Sequence, residues 1–128
     1  MGARPSPIRA LCLAGILAFA TAGHIQAHET SPEVQEGLAS YYSDSLQGSP
    51  TASGEPFDQQ ALTAAHPSLP LGTKVLVTRP DTGQEVEVLI NDRGPFVQGR
   101  IIDLSKRAAR ELGMLSRGIA PVQITAIQ

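Results

Sequence analysis

Apolar and polar side chains alternate over short segments in the C-terminal two thirds of the chain, which is the period-2 pattern of half-buried β-strands. The segment 73–79 (TKVLVTR) places Val75 and Val77 on one face, and the segment 84–90 (QEVEVLI) alternates in the same way. The four residues 80–83 between them (PDTG) are a turn sequence whose glycine suits a left-handed backbone. These two segments are therefore predicted to form an antiparallel hairpin.

Three further elements are predicted outside this hairpin. Segments 37–43 (GLASYYS) and 121–128 (PVQITAIQ) are expected to be a first and a closing strand. One helix is expected over 106–112 (KRAAREL), because Ser105 can cap its first turn and Gly113 can end it. The helix face turned toward the sheet would carry Ala108, Ala109 and Leu112.

Several short strands with one short helix within about 90 residues favour a small closed sheet. Closure removes the unpaired strand edges that an open sheet of this size would expose. The sequence pattern therefore predicts a mainly β fold of the barrel kind, and it leaves open which barrel topology the strands adopt.

The N-terminal segment has a different pattern. Arg4 and Arg9 precede an uncharged apolar run over 10–23, and a small-residue cleavage site follows at 25–27, as in secretory signal peptides. The apolar run is shorter than the roughly 20 residues that cross a bilayer. The predicted organisation is a signal peptide at 1–27, a flexible leader at 28–36 and one domain at 37–128.

The single cysteine, Cys12, falls inside this apolar run. It follows Leu11, where a lipid-modified cysteine is expected to follow a small residue, so lipid anchoring is not predicted. An uncleaved anchor remains the alternative to cleavage. After cleavage the chain would have no cysteine, which excludes a disulfide framework and a thiol nucleophile. We expect a periplasmic or secreted protein without stable membrane insertion.

Net charge bears on the partners of the predicted domain. Removal of Arg4 and Arg9 from the 10 basic residues would leave 8 against 12 acidic ones. A net acidic surface has no electrostatic attraction to nucleic acid or anionic lipid. A neutral or cationic partner fits better, and the domain is expected to be a monomer.

Four segments concentrate acids, a histidine and turn-forming residues: 51–58 (TASGEPFD), 63–73 (TAAHPSLPLGT), 90–96 (INDRGPF) and 100–105 (RIIDLS). In this order and spacing they resemble the catalytic barrel of the rare lipoprotein A (RlpA) family of septal lytic transglycosylases. The resemblance covers essentially all of 37–128. It implies a six-stranded double-psi β-barrel with one or two short helices, shared with expansins and family 45 glycosidases. It also implies peptidoglycan glycan as the partner and no cofactor.

Lytic cleavage needs a carboxyl group that first protonates the glycosidic oxygen and then takes the proton of the sugar's own 6-hydroxyl. Asp103 is the predicted acid/base, and the resemblance to expansins and glycosidases assigns acid chemistry to the same aspartate. An arginine beside a carboxyl group stabilises its charged form. Asp92, with Arg93 and Arg100 nearby in sequence, is therefore expected to be the charged partner. The alternatives are helix capping for Asp103, and a turn contact or an ion pair with one of these arginines for Asp92.

The resemblance completes the predicted catalytic set with Glu55 and His66. It places four further residues in the substrate-binding set: Asp58, Tyr42, Arg93 and Phe96. A surface acid without a role is the alternative for Glu55 and Asp58, and a structural histidine is the alternative for His66.

Other site classes receive less support from the residues. The chain lacks paired histidines or cysteines at ligand spacing, so no metal site is predicted. Ser53 is not part of a G-x-S-x-G elbow, which argues against a serine triad.

Tyr41 stands where the family usually has tryptophan, which predicts weaker substrate affinity at one end of the groove. A glycan-binding or wall-loosening domain without turnover, as in expansins, remains the alternative to an enzyme.

Overall fold

Six strands and one α-helix make up the regular structure of the computed structural model, which describes residues 33–127. The strands are β1 (Val34–Tyr41), β2 (Thr63–Ala65), β3 (Lys74–Thr78), β4 (Glu85–Asp92), β5 (Arg100–Leu104) and β6 (Ala120–Ala126), and helix α1 (Lys106–Glu111) lies between β5 and β6. A 3₁₀ turn at Asp44–Leu46 follows β1. None of the helices in this part of the chain is long and apolar enough to cross a bilayer.

The strands close into a barrel in the order β1-β5-β2-β4-β3-β6. The predicted hairpin is confirmed: β3 and β4 pair antiparallel, with Val75 opposite Val88 and Val77 opposite Val86. Gly83 adopts φ 80°, the left-handed conformation that the turn requires. The prediction of a mainly β barrel with one helix is therefore confirmed.

Two parallel pairings give the barrel its topology. β1 pairs with β5, and β2 pairs with β4, and each pair contains a register shift. β2 was not predicted as a strand, because three residues are too few to show an alternating pattern. Strand order is also not visible in the pattern, since parallel partners are brought together only by crossover connections.

The barrel interior is filled by one face of each strand and by one face of α1. Sixteen buried apolar residues form this core, among them Val75, Val77, Val88, Ile90 and Ile102. The predicted helix face is confirmed, since its three residues, Ala108, Ala109 and Leu112, are fully buried. The hydroxyl oxygen of Ser105 accepts a hydrogen bond from the Ala108 amide at 3.2 Å, so the predicted cap is also confirmed.

Element boundaries differ from the predicted ones at both ends of β1. The strand begins at Val34 instead of Gly37, because Val34, Gln35 and Glu36 continue the antiparallel pairing with β6. It ends at Tyr41, and Ser43 caps the 3₁₀ turn instead of continuing the strand. The predicted signal peptide at 1–27, and the leader as far as residue 32, lie outside the described residues.

Candidate active site

Four residues on neighbouring strands form a row across the outer face of the barrel, which we call the aspartate row. Ser40 on β1 is opposite Asp103 on β5, Asp103 is opposite Ala65 on β2, and Ala65 is opposite Asp92 on β4. Adjacent strands are about 4.8 Å apart, so the α-carbons of the two aspartates are separated by roughly 10 Å. Ala65 lies between them and is buried.

A register shift in the β1–β5 pair sets the direction of the Arg100 side chain. Residues three apart on a regular strand point to opposite faces. Here Arg100 is opposite Leu38 while Ile102 is opposite Ala39, so Ile101 is the additional residue of a bulge. Arg100 and Asp103 are thereby brought to the same face.

A second bulge directs Asp92. Ala64 pairs with Ile90 and Ala65 pairs with Asp92, so Asn91 is the additional residue. Ile90 and Ala64 belong to the core, whereas Asp92 shares the outer face with Ala65. Without the bulge, Asp92 would follow Ile90 into the core, because residues two apart share a face.

Asp103 accepts hydrogen bonds from a cation and a hydroxyl. Arg100 Nη2 lies 2.6 Å from Asp103 Oδ1, and the Ser40 hydroxyl donates to the same oxygen. The Asp103 side chain is 22% exposed, so it is partly accessible to solvent. Helix capping, the alternative considered for this residue, is carried out by Ser105 instead.

Asp92 is held by neutral donors only. Its Oδ1 accepts from the Ala52 amide at 2.8 Å and the Arg93 amide at 2.9 Å, and its Oδ2 accepts from the Tyr42 hydroxyl at 2.6 Å. An ion pair with Arg93 or Arg100, one alternative considered for Asp92, is not formed: Arg100 pairs with Asp103, because the bulge turns it toward that aspartate.

The guanidinium of Arg93 points away from both aspartates. Its Nη1 donates to the carbonyl oxygens of His66 at 3.1 Å and Leu69 at 2.7 Å. Arg93 therefore fixes the turn that follows β2.

His66 is 2% exposed, and protein partners occupy both of its ring nitrogens. Nδ1 accepts from the Ser68 and Leu69 amides, each at 3.0 Å, so Nε2 carries the proton and donates to Gln35 Oε1 at 3.0 Å. Burial, together with the charge of Arg93, lowers the pKa of His66. The imidazole is therefore neutral and holds the same turn as Arg93.

Tyr42 connects the aspartate row to the loop over residues 47–59. Its ring stacks on Phe57 with centroids 4.0 Å apart. Burial and the hydrogen bond to Asp92 raise the pKa of Tyr42 far above its usual value, so the phenol stays protonated and donates. Tyr41 points to the other side of β1, where its hydroxyl donates to the Leu115 carbonyl at 2.8 Å. Tyr41, which stands where the family usually has tryptophan, is therefore packed against the core.

Glu55 and Asp58 are exposed and lie on one rim of a cavity of about 320 Å³. We call it the Asn91 cavity; it is lined by Glu55, Pro56, Asp58, Ala61, Thr63 and Asn91. Asp58 Oδ1 also accepts from the Gln60 amide at 3.0 Å. The structure thus places both acids beside the aspartate row, on the side of Asp92.

Phe96 is 81% exposed on the loop between β4 and β5. This loop leaves the barrel directly after Asp92, so the ring is presented at the surface next to the row. Within residues 33–127, no three histidine, cysteine, aspartate or glutamate side chains are close enough together to hold a metal ion.

Sequence reasoning missed Ser40, Thr63 and Asn91 as members of the site. Ser40 is brought to Asp103 by a parallel pairing, and Asn91 is turned outward by a bulge. Neither effect has a signal in the apolar pattern. The position of Asn91 directly before Asp92 in a turn-rich motif was the one available indication.

A closed six-stranded barrel with this strand order and two parallel pairs belongs to the class of double-psi β-barrels. The family model described as "Lytic transglycolase" matches residues 34–124. The chain therefore belongs to this family and contains an RlpA-like double-psi β-barrel domain, as its four motifs predicted.

Curated relatives and a solved structure support this assignment. The chain is 55% identical over 94 residues to the "Probable endolytic peptidoglycan transglycosylase RlpA" of Nostoc sp., a match covering 72% of this chain and 25% of that protein. It is 46% identical over 118 residues to the protein of the same name in Synechocystis sp., covering 92% of this chain and 37% of the relative. The chain thus spans a quarter to somewhat over a third of these two relatives. An apo expansin from Clavibacter michiganensis has a TM-score of 0.59 and 28% identity, covering 75% of this chain and 51% of the expansin.

Proposed function

We propose that this domain is an endolytic peptidoglycan lytic transglycosylase that cleaves the bond between N-acetylmuramic acid and N-acetylglucosamine and leaves a 1,6-anhydro end. The observation that carries the proposal is the aspartate row, in which two partly exposed carboxyl groups lie on the same face of the barrel, two strands apart. The names of the relatives support the same reaction. Its place of action would be the periplasm or the cell exterior, as a monomer.

The donors to the two aspartates suggest different roles. A guanidinium compensates the charge of Asp103, whereas a hydroxyl and two backbone amides hold Asp92. Charge-assisted pairs are the stronger ones, so we assign Asp103 as the charged stabiliser of the developing positive charge on the sugar. Asp92 then carries the mobile proton. These roles of Asp92 and Asp103 are the reverse of those predicted from the sequence, because Arg100 pairs with Asp103 and not with Asp92.

The proposed reaction proceeds without water. Asp92 donates its proton to the glycosidic oxygen as the bond from that oxygen to C1 of N-acetylmuramic acid breaks. The 6-hydroxyl oxygen of the same sugar then bonds to C1, and its proton returns to Asp92. One carboxyl group thus acts first as acid and then as base, and no proton is gained or lost overall.

The remaining predicted residues fit supporting roles in this proposal. Tyr42 would hold Asp92 in place, and His66 and Arg93 would position the turn next to the row instead of exchanging protons with the glycan. Glu55, Asp58 and Phe96 are exposed and would contact the sugars on either side of the cleaved bond.

Digestion of purified sacculi with mass-spectrometric detection tests the proposal. The parent should release anhydro-muropeptides, and Asp92→Asn should lower the rate at least about 100-fold, which is the usual scale for removal of a general acid or base. Asp103→Asn should also reduce it strongly. Asp44→Asn is the matched control, since this aspartate is exposed and lies in a surface ion pair with Lys106. Release by Asp92→Asn at the parental rate would refute the assignment.

A binding or wall-loosening domain without turnover is the second candidate, and the likeness to an expansin favours it. This candidate predicts that the parent sediments with sacculi while no soluble anhydro product appears. The same digestion therefore distinguishes the two functions.

A further inference from the structure

The Asn91 cavity contains two polar groups without a partner. Asn91 is 8% exposed, yet its side-chain amide makes no hydrogen bond to any residue in the range 33–127. The hydroxyl oxygen of Thr63 is fully buried and has no partner among the same residues. Buried polar groups in native proteins are almost always paired. The Asn91 side chain lines the cavity, so a ligand there can supply the hydrogen bonds that its amide lacks, whereas the enclosed Thr63 hydroxyl oxygen is out of reach of a ligand.

The bulge in β4 explains why these groups meet. Thr63 is opposite Leu89 on the outer face of the β2–β4 pair, and Asn91 is the additional residue just beyond it. The Asn91 carbonyl is already used, because it accepts from the Ser53 amide at 3.1 Å. Only the side-chain amide of Asn91 remains available to a ligand.

The chemistry of the cavity matches an acetamido group. The amide of Asn91 offers one acceptor and two donors, which is reciprocal to the N–H and C=O of another amide. Ala61 and Pro56 form an apolar wall for a methyl group, and the volume of about 320 Å³ lies at the lower end of the range for ligand pockets.

The cavity is joined to the proposed acid/base. Asn91 directly precedes Asp92, and the loop that carries Glu55 and Pro56 also donates the Ala52 amide to Asp92 Oδ1 at 2.8 Å. A sugar unit held in the cavity would therefore lie beside the group that transfers the proton.

The geometry points to the Asn91 cavity as a subsite for the 2-acetamido group of an amino sugar adjoining the cleaved bond. The domain then requires N-acetylated glycan and discriminates against the free amine. This inference rests on the proposed function for the identity of the glycan. The carboxylates of Glu55 and Asp58 on the rim would attract a free ammonium group. Tighter binding of the free amine than of the acetylated sugar is therefore the competing outcome.

Binding titrations by NMR can decide between these outcomes without turnover. The probes are tetra-N-acetylchitotetraose and its fully de-N-acetylated counterpart. We expect the parent to bind the acetylated probe about tenfold or more tightly. Asn91→Leu, which keeps the approximate size of the side chain and removes its amide, should weaken that binding about fivefold, the effect of one hydrogen bond. Asn91→Ala should weaken it at least as much.

Neither substitution should change the affinity for the amino probe more than about twofold. Thr125→Val is the matched control, because Thr125 lies on β6, three strands from β2 in the closed barrel, and both affinities should stay parental. Equal or tighter binding of the amino probe by the parent would overturn the inference, and so would equal losses for both probes in the variants. If the parent shows the expected preference but releases no anhydro product from sacculi, the proposed function fails while the subsite stands.

Discussion

At the scale of single residues, the two aspartates differ in the donors that surround them. Asp103 faces the Arg100 guanidinium at 2.6 Å, whereas Asp92 faces the neutral hydroxyl of Tyr42 at the same distance. In the proposed reaction, one positive charge, placed by one inserted residue on β5, therefore distinguishes the charged stabiliser from the proton carrier. Position in the sequence suggested instead that an arginine would lie beside the Asp92 carboxyl group, since Arg93 adjoins Asp92.

Arg100→Met tests the importance of this charge. Loss of a charge-assisted hydrogen bond typically costs about 1.5 to 3 kcal/mol, so the rate of anhydro-muropeptide release should fall about 10- to 100-fold. Arg100→Lys should restore part of it, because a point charge without the guanidinium fork replaces the lost one. Arg107→Met, which removes an exposed arginine on α1, is the control and should keep the parental rate. A parental rate for Arg100→Met would contradict the proposed role of Asp103.

At the scale of elements, short segments depend on side chains that satisfy backbone groups. The turn after β2 has few backbone bonds of its own and is held by the His66 ring and the Arg93 guanidinium. Helix α1 has six residues and depends on Ser105, whose hydroxyl donates to the Ala61 carbonyl at 2.6 Å as well as capping the helix. Both elements carry or adjoin residues of the aspartate row.

His66 predicts a pH dependence of stability. Its pKa lies below the ordinary value of 6.5 in the folded protein, because burial disfavours the charged ring. The unfolded chain therefore binds the proton more readily, and the free energy of unfolding should fall as the pH decreases below about 6.5 until the folded pKa is reached, by at most about 1.4 kcal/mol per pH unit. Urea unfolding between about pH 7.5 and 5 measures this slope.

His66→Asn is the matched variant for that measurement. Asparagine can accept the same amide hydrogen bonds with its side-chain oxygen but does not titrate. We expect a lower stability at pH 7.5 and a weaker decrease toward pH 5 than in the parent. An unchanged slope would assign the acid sensitivity to other groups.

Ser105→Ala should destabilise the fold without changing the aspartate row. Loss of an N-cap hydroxyl costs about 0.5 to 2 kcal/mol, and the Ala61 carbonyl would also lose its buried partner. We expect a decrease of about 1 to 2 kcal/mol in the free energy of unfolding, measured with urea. Ser116→Ala, at an exposed position after the helix, should change it by less than about 0.5 kcal/mol.

At the scale of the whole molecule, β1 closes the barrel by pairing with β5 on one side and with β6 on the other. Gly37 lies at the point where β1 passes the bulge of β5. A Cβ atom built there would lie 2.6 Å from Ile101 Cγ2 and 3.2 Å from the Gly99 carbonyl oxygen. Closure thus depends on the absence of a side chain at this position.

Gly37→Ala should therefore destabilise the barrel by about 1 to 3 kcal/mol, as overpacking does. In the double variant Gly37→Ala/Ile101→Ala the clash is relieved, so the combined loss should be smaller than the sum of the two single losses. Thermal and urea unfolding of the four proteins measure this coupling. Additive losses would show that Ile101 is not the obstacle.

The sequence by itself determined the local elements and the family. The alternation of valines predicted the β3–β4 hairpin, Ser105 and Gly113 predicted the limits of α1, and four ordered motifs predicted the barrel class. These features depend on periodicity, capping and turn chemistry, which act between residues close in the chain and are therefore visible in it.

Tertiary structure alone decided which side chains meet. The parallel pairings join residues 63 positions apart, as for Ser40 and Asp103, and each bulge reverses the face of every residue that follows it. The partner of Arg100, the outward direction of Asp92 and the unpaired amide of Asn91 all follow from these pairings and bulges. Register between distant strands is set by the packing of the closed barrel as a whole, so no local pattern in the chain contains it.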